Sequence, residues 1–408
     1  MTAFPQRLDP ALHPWMTADG VRTIFAAIGG AGGTARFVGG AVRDALLGRV
    51  VGDVDMAVTL PPEAVTAALD AAGIKVVPTG IAHGTVTAVA EGRGYEITTL
   101  RYDVETDGRR AKVAFTDDWQ ADAARRDFTF NALYADADGA VYDYFGGRDD
   151  LAAGRVRFIG DAEARIREDV LRILRFFRFY AWFGRGAADA AGVAACARLA
   201  GLLPQLSAER VWREIGKLLL APDPFPALCL MRERGVLGAV LPEATELGRL
   251  QRLVAVEEEN GGADAVRRLT AALGGEVAAA AVAVRLKMAR RDEARLQLLA
   301  QLPERLRGRY EARDLRQVLY DCGEGAVRDA LLLLAADEAV PDLGAALAVV
   351  AAWESPRLPV QGADVVALGV AAGPQVGKVL QSVEDWWREL DFRPARQECL
   401  EALRGAVE

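Results

Sequence analysis

Asp53 and Asp55 are separated by a single valine in the segment FVGGAVRDALLGRVVGDVDMAVT, Phe37 to Thr59. If Asp53-Val54-Asp55 is extended, both carboxylates leave the same face and Val54 points into the core. Two like charges so close repel each other unless a cation joins them. Magnesium suits such a pair, because it takes oxygen ligands and keeps waters and substrate phosphates in its shell. Two such ions could activate an attacking hydroxyl and steady a leaving pyrophosphate. An isolated Asp-x-Asp is more often a solvated turn, so the residues upstream decide.

Gly39 and Gly40 end the strand-like run ARFV and open the helix-like AVRDALLG. Backbone N–H groups and the positive helix end at such a junction can cradle phosphate. Arg43, one turn into the helix, could reach the same phosphates with its planar fork, and Asp44 could pair with a neighbouring arginine. GG-x-x-RD, LG and DxD fall within 17 residues, a specific combination. The segment GGAVRDALLGRVVGDVD resembles the nucleotidyltransferase signature of the bacterial (class II) tRNA CCA-adding enzymes and the related poly(A) polymerases. The resemblance implies that Asp53 and Asp55 are catalytic and hold Mg²⁺, and that Gly40 and Arg43 contact the incoming nucleotide.

A second stretch, ARRDFTFNALYAD from Ala124, resembles another motif of that family. By residue type alone, Arg125-Arg126-Asp127 fits a surface ion-pair cluster, and Asn131 could tie down a turn. By resemblance Arg126 is a ribose or triphosphate contact and Asp127 its partner.

The third stretch, REDVLRILRFFRFYAWF, spaces Asp169, Arg172, Arg175 and Arg178 by three. Three residues advance about 300° on an α-helix, so these side chains form a slanting stripe. Val170, Leu171, Ile173, Leu174, Phe176 and Phe177 fill the gaps, which sets the arginines among apolar groups. A carboxylate beside a guanidinium can imitate a pairing base: cytosine and adenine both offer an amino donor and a ring-nitrogen acceptor. In the resembled family ED-x-x-R has this role, which implies that Asp169 and Arg172 accept CTP and ATP and refuse GTP and UTP. Arg175 and Arg178 resemble its further nucleotide contacts. Residues 155–185 hold eight arginines against four acidic residues, a local +4 that marks a nucleic-acid-facing cleft.

Four further candidates stand apart. Glu96 is either a third carboxylate beside the Asp-x-Asp strand or a structural ion-pair partner. Arg109, Arg110 and Lys112 sit on a polar loop, which in the family helps switch between nucleotides. Glu209 and Arg210 resemble a helical motif that organises the neck. Lys378, in GADVVALGVAAGPQVGKVL, resembles a tail segment that holds the tRNA body through phosphates, although the last 108 residues carry 12 basic against 18 acidic side chains.

The elements that position these residues change character along the chain. The first ~150 residues read as strands and helices, with a hairpin around Gly92 and Gly94. From Asp161, a plausible N-cap, one helix runs to a stop at Gly184 and further helices follow. Pro356 and Pro359 mark a linker. The expected fold is α+β: a nucleotidyltransferase head with a mixed β-sheet over 1–150, then an all-α neck (151–220), body (221–350) and tail (351–408).

At 408 residues the chain exceeds one ordinary core. Its net charge of −8 argues weakly against a simple nucleic-acid binder, although a local basic groove can still act on phosphates. Only His13 and His83 are present, which excludes a histidine-rich metal site or an HD-type phosphohydrolase. The four cysteines are scattered, as in a reducing cytoplasm, and no secretory signal or ~18-residue apolar span is evident. The expectation is a cytoplasmic enzyme that adds C, C and A to the tRNA 3′ end from CTP and ATP, with Mg²⁺ as cofactor and no membrane or protein partner. The alternatives are a poly(A) polymerase, an enzyme adding only C's or only A, and, more remotely, a non-catalytic RNA-binding protein.

Overall fold

The apolar run ahead of Gly39 forms strand β1 (Ala35–Val38), and the run that begins at the second aspartate forms β2 (Asp55–Val58). The computed structural model describes residues 4–107, 110–337 and 340–407. Its further strands are β3 (Lys75–Gly80), β4 (Thr85–Ala90), β5 (Arg93–Thr99), β6 (Arg101–Asp107), β7 (Arg110–Phe115), β8 (Leu133–Ala135) and β9 (Val141–Asp143). Around them lie α1 (Asp19–Gly30), α2 (Gly40–Leu46), α3 (Pro62–Ala71), α4 (Trp119–Ala124) and α5 (Gly147–Ala153). Then come α6 (Ala162–Glu168), α7 (Leu171–Phe183), α8 (Ala190–Leu199) and α9 (Ala208–Leu219).

Seven strands form one mixed sheet in the order β3-β4-β5-β2-β1-β8-β9, and β6 pairs with β7 as a separate ribbon. Within the sheet β2 and β5 run parallel, and the other neighbours are antiparallel. The fold is therefore α+β, as expected. The β4–β5 hairpin turns at Glu91 and Gly92, both with positive φ (52° and 73°), as a two-residue turn of the I′ type requires. Gly94 lies inside β5, opposite Val89.

Two expectations change. Arg110 and Lys112, read as loop residues, lie in β7, paired with Asp107 and Glu105. The alternating aromatic and β-branched residues of this stretch favour a ribbon. Arg109 lies outside the described residues. The stretch from Asp161 to Gly184 is two helices rather than one, because Asp169 is extended (φ −151°, ψ 105°) between α6 and α7. Aspartate competes with the helix ladder for backbone N–H groups, and here its Oδ1 accepts from the Leu171 N–H at 3.2 Å. Asp161 does cap α6, accepting from the Ala164 N–H at 2.8 Å.

The apolar side of α7 docks on the ARRDFTF segment through aromatic rings. Phe176 stacks on Phe158 with ring centroids 5.6 Å apart, and Phe128 meets Phe158 at 4.8 Å and Phe179 at 5.3 Å. Phe128, Phe130, Phe176 and Phe177 are fully buried, and each contributes on the order of 2–3 kcal/mol by leaving water. This packing fixes the arginine-bearing helix against the sheet that carries Asp55.

The chain parts into two compact units between Pro242 and Glu243. The first unit includes the helix Phe225–Glu233, which packs on α7. The boundary expected near residue 150 falls inside α5. The second unit is helical, with one apolar cluster from Leu302 to Val350 and another from Val360 to Leu403, separated by the non-helical stretch around Pro356 and Pro359. It also buries an ion network in which Arg267 donates to Glu257 at 2.7 Å and to Asp329 at 2.7 Å. Among the described residues no helix is long and apolar enough to cross a membrane. The four cysteines are free.

Candidate active site

Antiparallel pairing of β1 with β2, with Phe37 opposite Met56, brings the start of β2 beside the end of β1. Asp55 therefore arrives where the chain leaves β1 through Gly39. Gly39 has φ +67°, a conformation glycine adopts without strain, and a Cβ there would lie 3.5 Å from the Asn131 carbonyl oxygen. The turn feeds α2, which delivers Arg43. On the other side of β2, β5 places Glu96 directly opposite Asp55.

Burial alternates along the acidic segment: Asp53 is exposed, Val54 buried, Asp55 half-buried and Met56 buried. That alternation is the one expected of two aspartates sharing a face. The regular strand starts only at Asp55, so Asp53 lies on its approach. Burial pushes the Asp55 carboxyl up to about 6; Glu96 adds to the push, Arg126 opposes it and Asp53 adds a smaller share.

Asp55 borders a cavity of about 450 Å³. Gly40, Arg43 and Arg126 line it beside Asp55, and Asp169, Arg172, Arg175 and Arg210 line it from the helical segments. Seven of the sequence-predicted residues thus meet around one space. Asp53 and Arg178 lie outside its lining.

Each arginine is held by a partner, which fixes its orientation. Arg43 donates to Asp44 through Nε at 2.9 Å and to Asn131 Oδ1 at 2.8 Å. Arg126 donates to Asp122 at 3.1 Å and to the Tyr134 hydroxyl at 3.2 Å. Asp127, expected to pair with Arg126, instead accepts from Arg175 Nε at 2.7 Å and from Asn131 at 3.0 Å. The reason is local: Arg126 is drawn back to Asp122 one turn earlier on α4, while buried Asp127 faces α7. Burial raises the Asp127 carboxyl, but Arg175 and the hydrogen bonds from Asn131, Arg175 and the Phe128 N–H more than reverse this.

Asp169 and Arg172 also have partners of their own. Asp169 Oδ2 accepts from Arg210 Nη2 at 2.7 Å, and Arg172 Nη1 donates to Glu168 at 2.5 Å and to the Arg165 carbonyl at 2.8 Å. Arg178 donates to buried Glu214 at 2.6 Å. Sequence reasoning missed Glu168 and Glu214 and gave Arg210 only an organising role. Two of these were signalled. Glu168 lies four residues before Arg172, the favourable helix spacing. Glu214 sits on the apolar stripe Val211, Ile215, Leu218 of α9, where a carboxylate needs a partner. Arg210 gave no local sign, since Asp169 is 41 residues away.

Asp122 supplies a test of this framework. Burial pushes its carboxyl up, but Arg126 and Arg125, with hydrogen bonds from Tyr134 and Arg125, bring it down to about 2. An unfolded aspartate titrates near 4, so the stability that Asp122 contributes is full above about pH 4 and is lost as pH falls toward 2. Asp122→Asn is expected to lower the unfolding free energy at pH 7 by about 2 kcal/mol. It should also flatten the acid limb of the stability curve, as urea unfolding between pH 2 and 7 would record.

Comparison with known proteins places this geometry. Residues 35–157 match the family model of the poly A polymerase head domain, and 190–247 match that of the probable RNA and SrmB-binding site of polymerase A. The mitochondrial CCA tRNA nucleotidyltransferase 1 of Danio rerio is 35% identical over 376 residues, covering 90% of this chain and 86% of that protein. The chain belongs to the CCA-adding tRNA nucleotidyltransferases. A CCA-adding enzyme of Levilactobacillus brevis is 33% identical over 379 residues, 89% of this chain and 91% of that one. The crystal structure of the Bacillus stearothermophilus CCA-adding enzyme in complex with CTP superposes with a TM-score of 0.78 at 29% identity, covering 94% of each chain.

Proposed function

We propose that this chain adds C, C and A to the 3′ end of tRNA, taking CTP and ATP in turn into the cavity between Asp55 and Asp169. The observation that carries this reading is that a carboxylate on the sheet and the carboxylate–guanidinium set Asp169, Arg172 and Arg210 border the same space. One end suits triphosphate chemistry and the other suits the amino and ring-nitrogen edge shared by cytosine and adenine. The 3′-hydroxyl of the acceptor attacks the α-phosphorus; the new bond is O3′–Pα, the bond broken is that to the bridging oxygen, and pyrophosphate leaves.

The donor set fits a magnesium ion. Burial first, and then the charges of Glu96 and Asp53, hold the Asp55 carboxyl above the usual carboxylate range, and a cation at that carboxylate would offset both. Among the described residues no cluster of three or more His, Cys, Asp or Glu could hold a metal alone. This agrees with a Mg²⁺ that takes one or two carboxylates and completes its shell with phosphates and water. Asp53 and Asp55 are the residues we assign to hold it; when bound, it activates the hydroxyl and neutralises charge on the leaving group.

The protein's own groups do the positioning. Arg43, steadied by Asp44 and Asn131, and Arg126, steadied by Asp122 and Tyr134, offer guanidinium forks to the phosphates and ribose next to Gly40. Asp169 accepts from the base amino group and Arg172 donates to the ring nitrogen. Arg175 and Arg178 hold the same face of α7. Residues 1–150 act as head, 151–220 as neck, 221–350 as body and 351–408 as tail, where exposed Lys378 meets the tRNA body. The free cysteines suit the cytoplasm.

The test is incubation with tRNA lacking its CCA and each labelled nucleotide singly. CTP alone is expected to add two residues, and ATP to add one only after them, all of it stopped by a magnesium chelator. A ladder of A's on any RNA would replace this reading with poly(A) polymerase activity.

A further inference from the structure

A second cavity, of about 380 Å³, lies against α7 on the side of Trp182. Arg43 and Phe179 line both cavities, so the two adjoin. Its wall alternates cations and rings. The Arg49 guanidinium lies 4.7 Å from the Phe183 ring centroid, that of Arg43 4.5 Å from the same ring, and that of Arg178 4.0 Å from Phe179. Trp182 is fixed at the rim: its Nε1–H donates to the Lys217 carbonyl at 2.7 Å, and its own carbonyl accepts from Arg49 at 3.2 Å. Two apolar side chains of the lining, Val50 and Leu220, remain 95% and 38% exposed, so the cavity opens through a surface that water does not favour.

Charge decides what kind of ligand this is. Asp44 is the carboxylate of the lining, and Arg43 already holds it with two hydrogen bonds. Arg178 is matched by Glu214. Arg49 and Lys217 form no ion pair among the described residues; Asp44 acts favourably on the charge of Arg49, and Arg43 and Arg185 act against it. Two unmatched cations beside aromatic faces suit a phosphodiester with one negative charge and a stacked base; a triphosphate would bring about four charges. Stacking on rings with a cationic track is how proteins hold single-stranded nucleic acid without reading its sequence.

We propose that this cavity receives the terminal nucleotide of the RNA acceptor strand, its base stacked against Trp182 and its phosphodiester met by Arg49 and Lys217. The proposal rests on the function proposed above, because nucleotidyl transfer requires the acceptor's 3′-hydroxyl to enter beside the nucleotide cavity. The shared wall of Arg43 and Phe179 is where the two substrates would meet. Sequence-tolerant stacking also fits an acceptor end that changes with each addition.

The experiment uses the full-length enzyme, a tRNA lacking its CCA, and the variants Trp182→Ala, Trp182→Phe and Lys217→Glu. Trp182→Ala and Lys217→Glu are each expected to raise KM for the tRNA about tenfold, with Trp182→Phe restoring most of the loss. KM for CTP should stay within about twofold, as should calorimetric CTP binding with Mg²⁺ and no RNA, which also verifies folding. Lys217→Glu should reduce the salt dependence of tRNA binding by about one counterion. An unchanged KM for tRNA, or an equal rise in KM for CTP, overturns the subsite while leaving the functional reading intact. A wild-type enzyme that binds CTP but extends no tRNA overturns both.

Discussion

Asp55→Ala and Asp53→Ala are each expected to reduce nucleotide incorporation by about a thousandfold or more, with the fold preserved. In the proposed reading the two carboxylates carry Mg²⁺, whose charge stabilisation of the transition state is worth several kcal/mol, and each 1.4 kcal/mol is about tenfold in rate. Asp55 is the more sensitive position. It borders the cavity, is half-buried and faces Glu96 across the parallel β2–β5 pair, whereas Asp53 is exposed on the approach to the strand. Neither aspartate anchors the core: the buried residues of this segment are Val54, Met56, Ala57 and Val58. Asp55→Asn removes a charge that has like-signed neighbours, so its melting temperature without metal should equal or exceed that of the wild type. Two measurements check this together. Single-turnover incorporation should collapse in both variants, and the rise in melting temperature on adding Mg²⁺ with CTP should shrink in both. Substantial activity in either variant would reject the metal assignment.

How much of this was legible in the sequence depends on distance along the chain. The strands at Ala35–Val38 and Asp55–Val58 and the helix from Gly40 follow from apolar runs and a glycine turn, all local signals. The mixed sheet order is different in kind. That β5 lies parallel beside β2 and sets Glu96 opposite Asp55 is a pairing across some 40 residues, which no local pattern states and which the sequence offered only as one of two readings of Glu96. The break at Asp169 was hidden by a helical pattern on both sides, since only the side chain's competition for the Leu171 N–H interrupts it. The arginine stripe was visible, but its electrostatics were not. A count of +4 over residues 155–185 marked a nucleic-acid-facing cleft but not the partners of its cations: the fold brings Glu168, Asp127 and Glu214 to Arg172, Arg175 and Arg178. Arg49 and Lys217, which line the second cavity, form no ion pair among the described residues, and no reading of the sequence gave either a role.

Arg210→Ala is expected to weaken base selection almost as much as Asp169→Ala, although Arg210 lies outside the ED-x-x-R segment. Asp169 sits between two helices on a residue of extended backbone, so its side chain is not held by a helical turn. Its two carboxylate oxygens are placed by different donors, the Leu171 N–H at 3.2 Å and Arg210 Nη2 at 2.7 Å. Arg172, the other half of the proposed reader, is placed independently by Glu168 and the Arg165 carbonyl. Removing Arg210 therefore loosens the acceptor and leaves the donor in place. Cytosine and adenine, which need the acceptor for their amino groups, should lose affinity, and uracil, whose carbonyl the carboxylate repels, should gain relative to them. A well-formed pair of hydrogen bonds to a base edge discriminates by ~1–3 kcal/mol, or roughly tenfold to a hundredfold. The ratio of kcat/KM for CTP over UTP should fall by that factor in Asp169→Ala and by most of it in Arg210→Ala. Arg210→Lys keeps the charge but not the planar fork, so it should recover only part of the loss. Glu168→Gln should lower kcat/KM for both CTP and ATP, because it unsettles the donor that the ring nitrogens of cytosine and adenine meet. If Arg210→Ala slows CTP and UTP equally, Arg210 braces α9 against the α6–α7 junction, and the acceptor geometry is set by the Leu171 N–H alone.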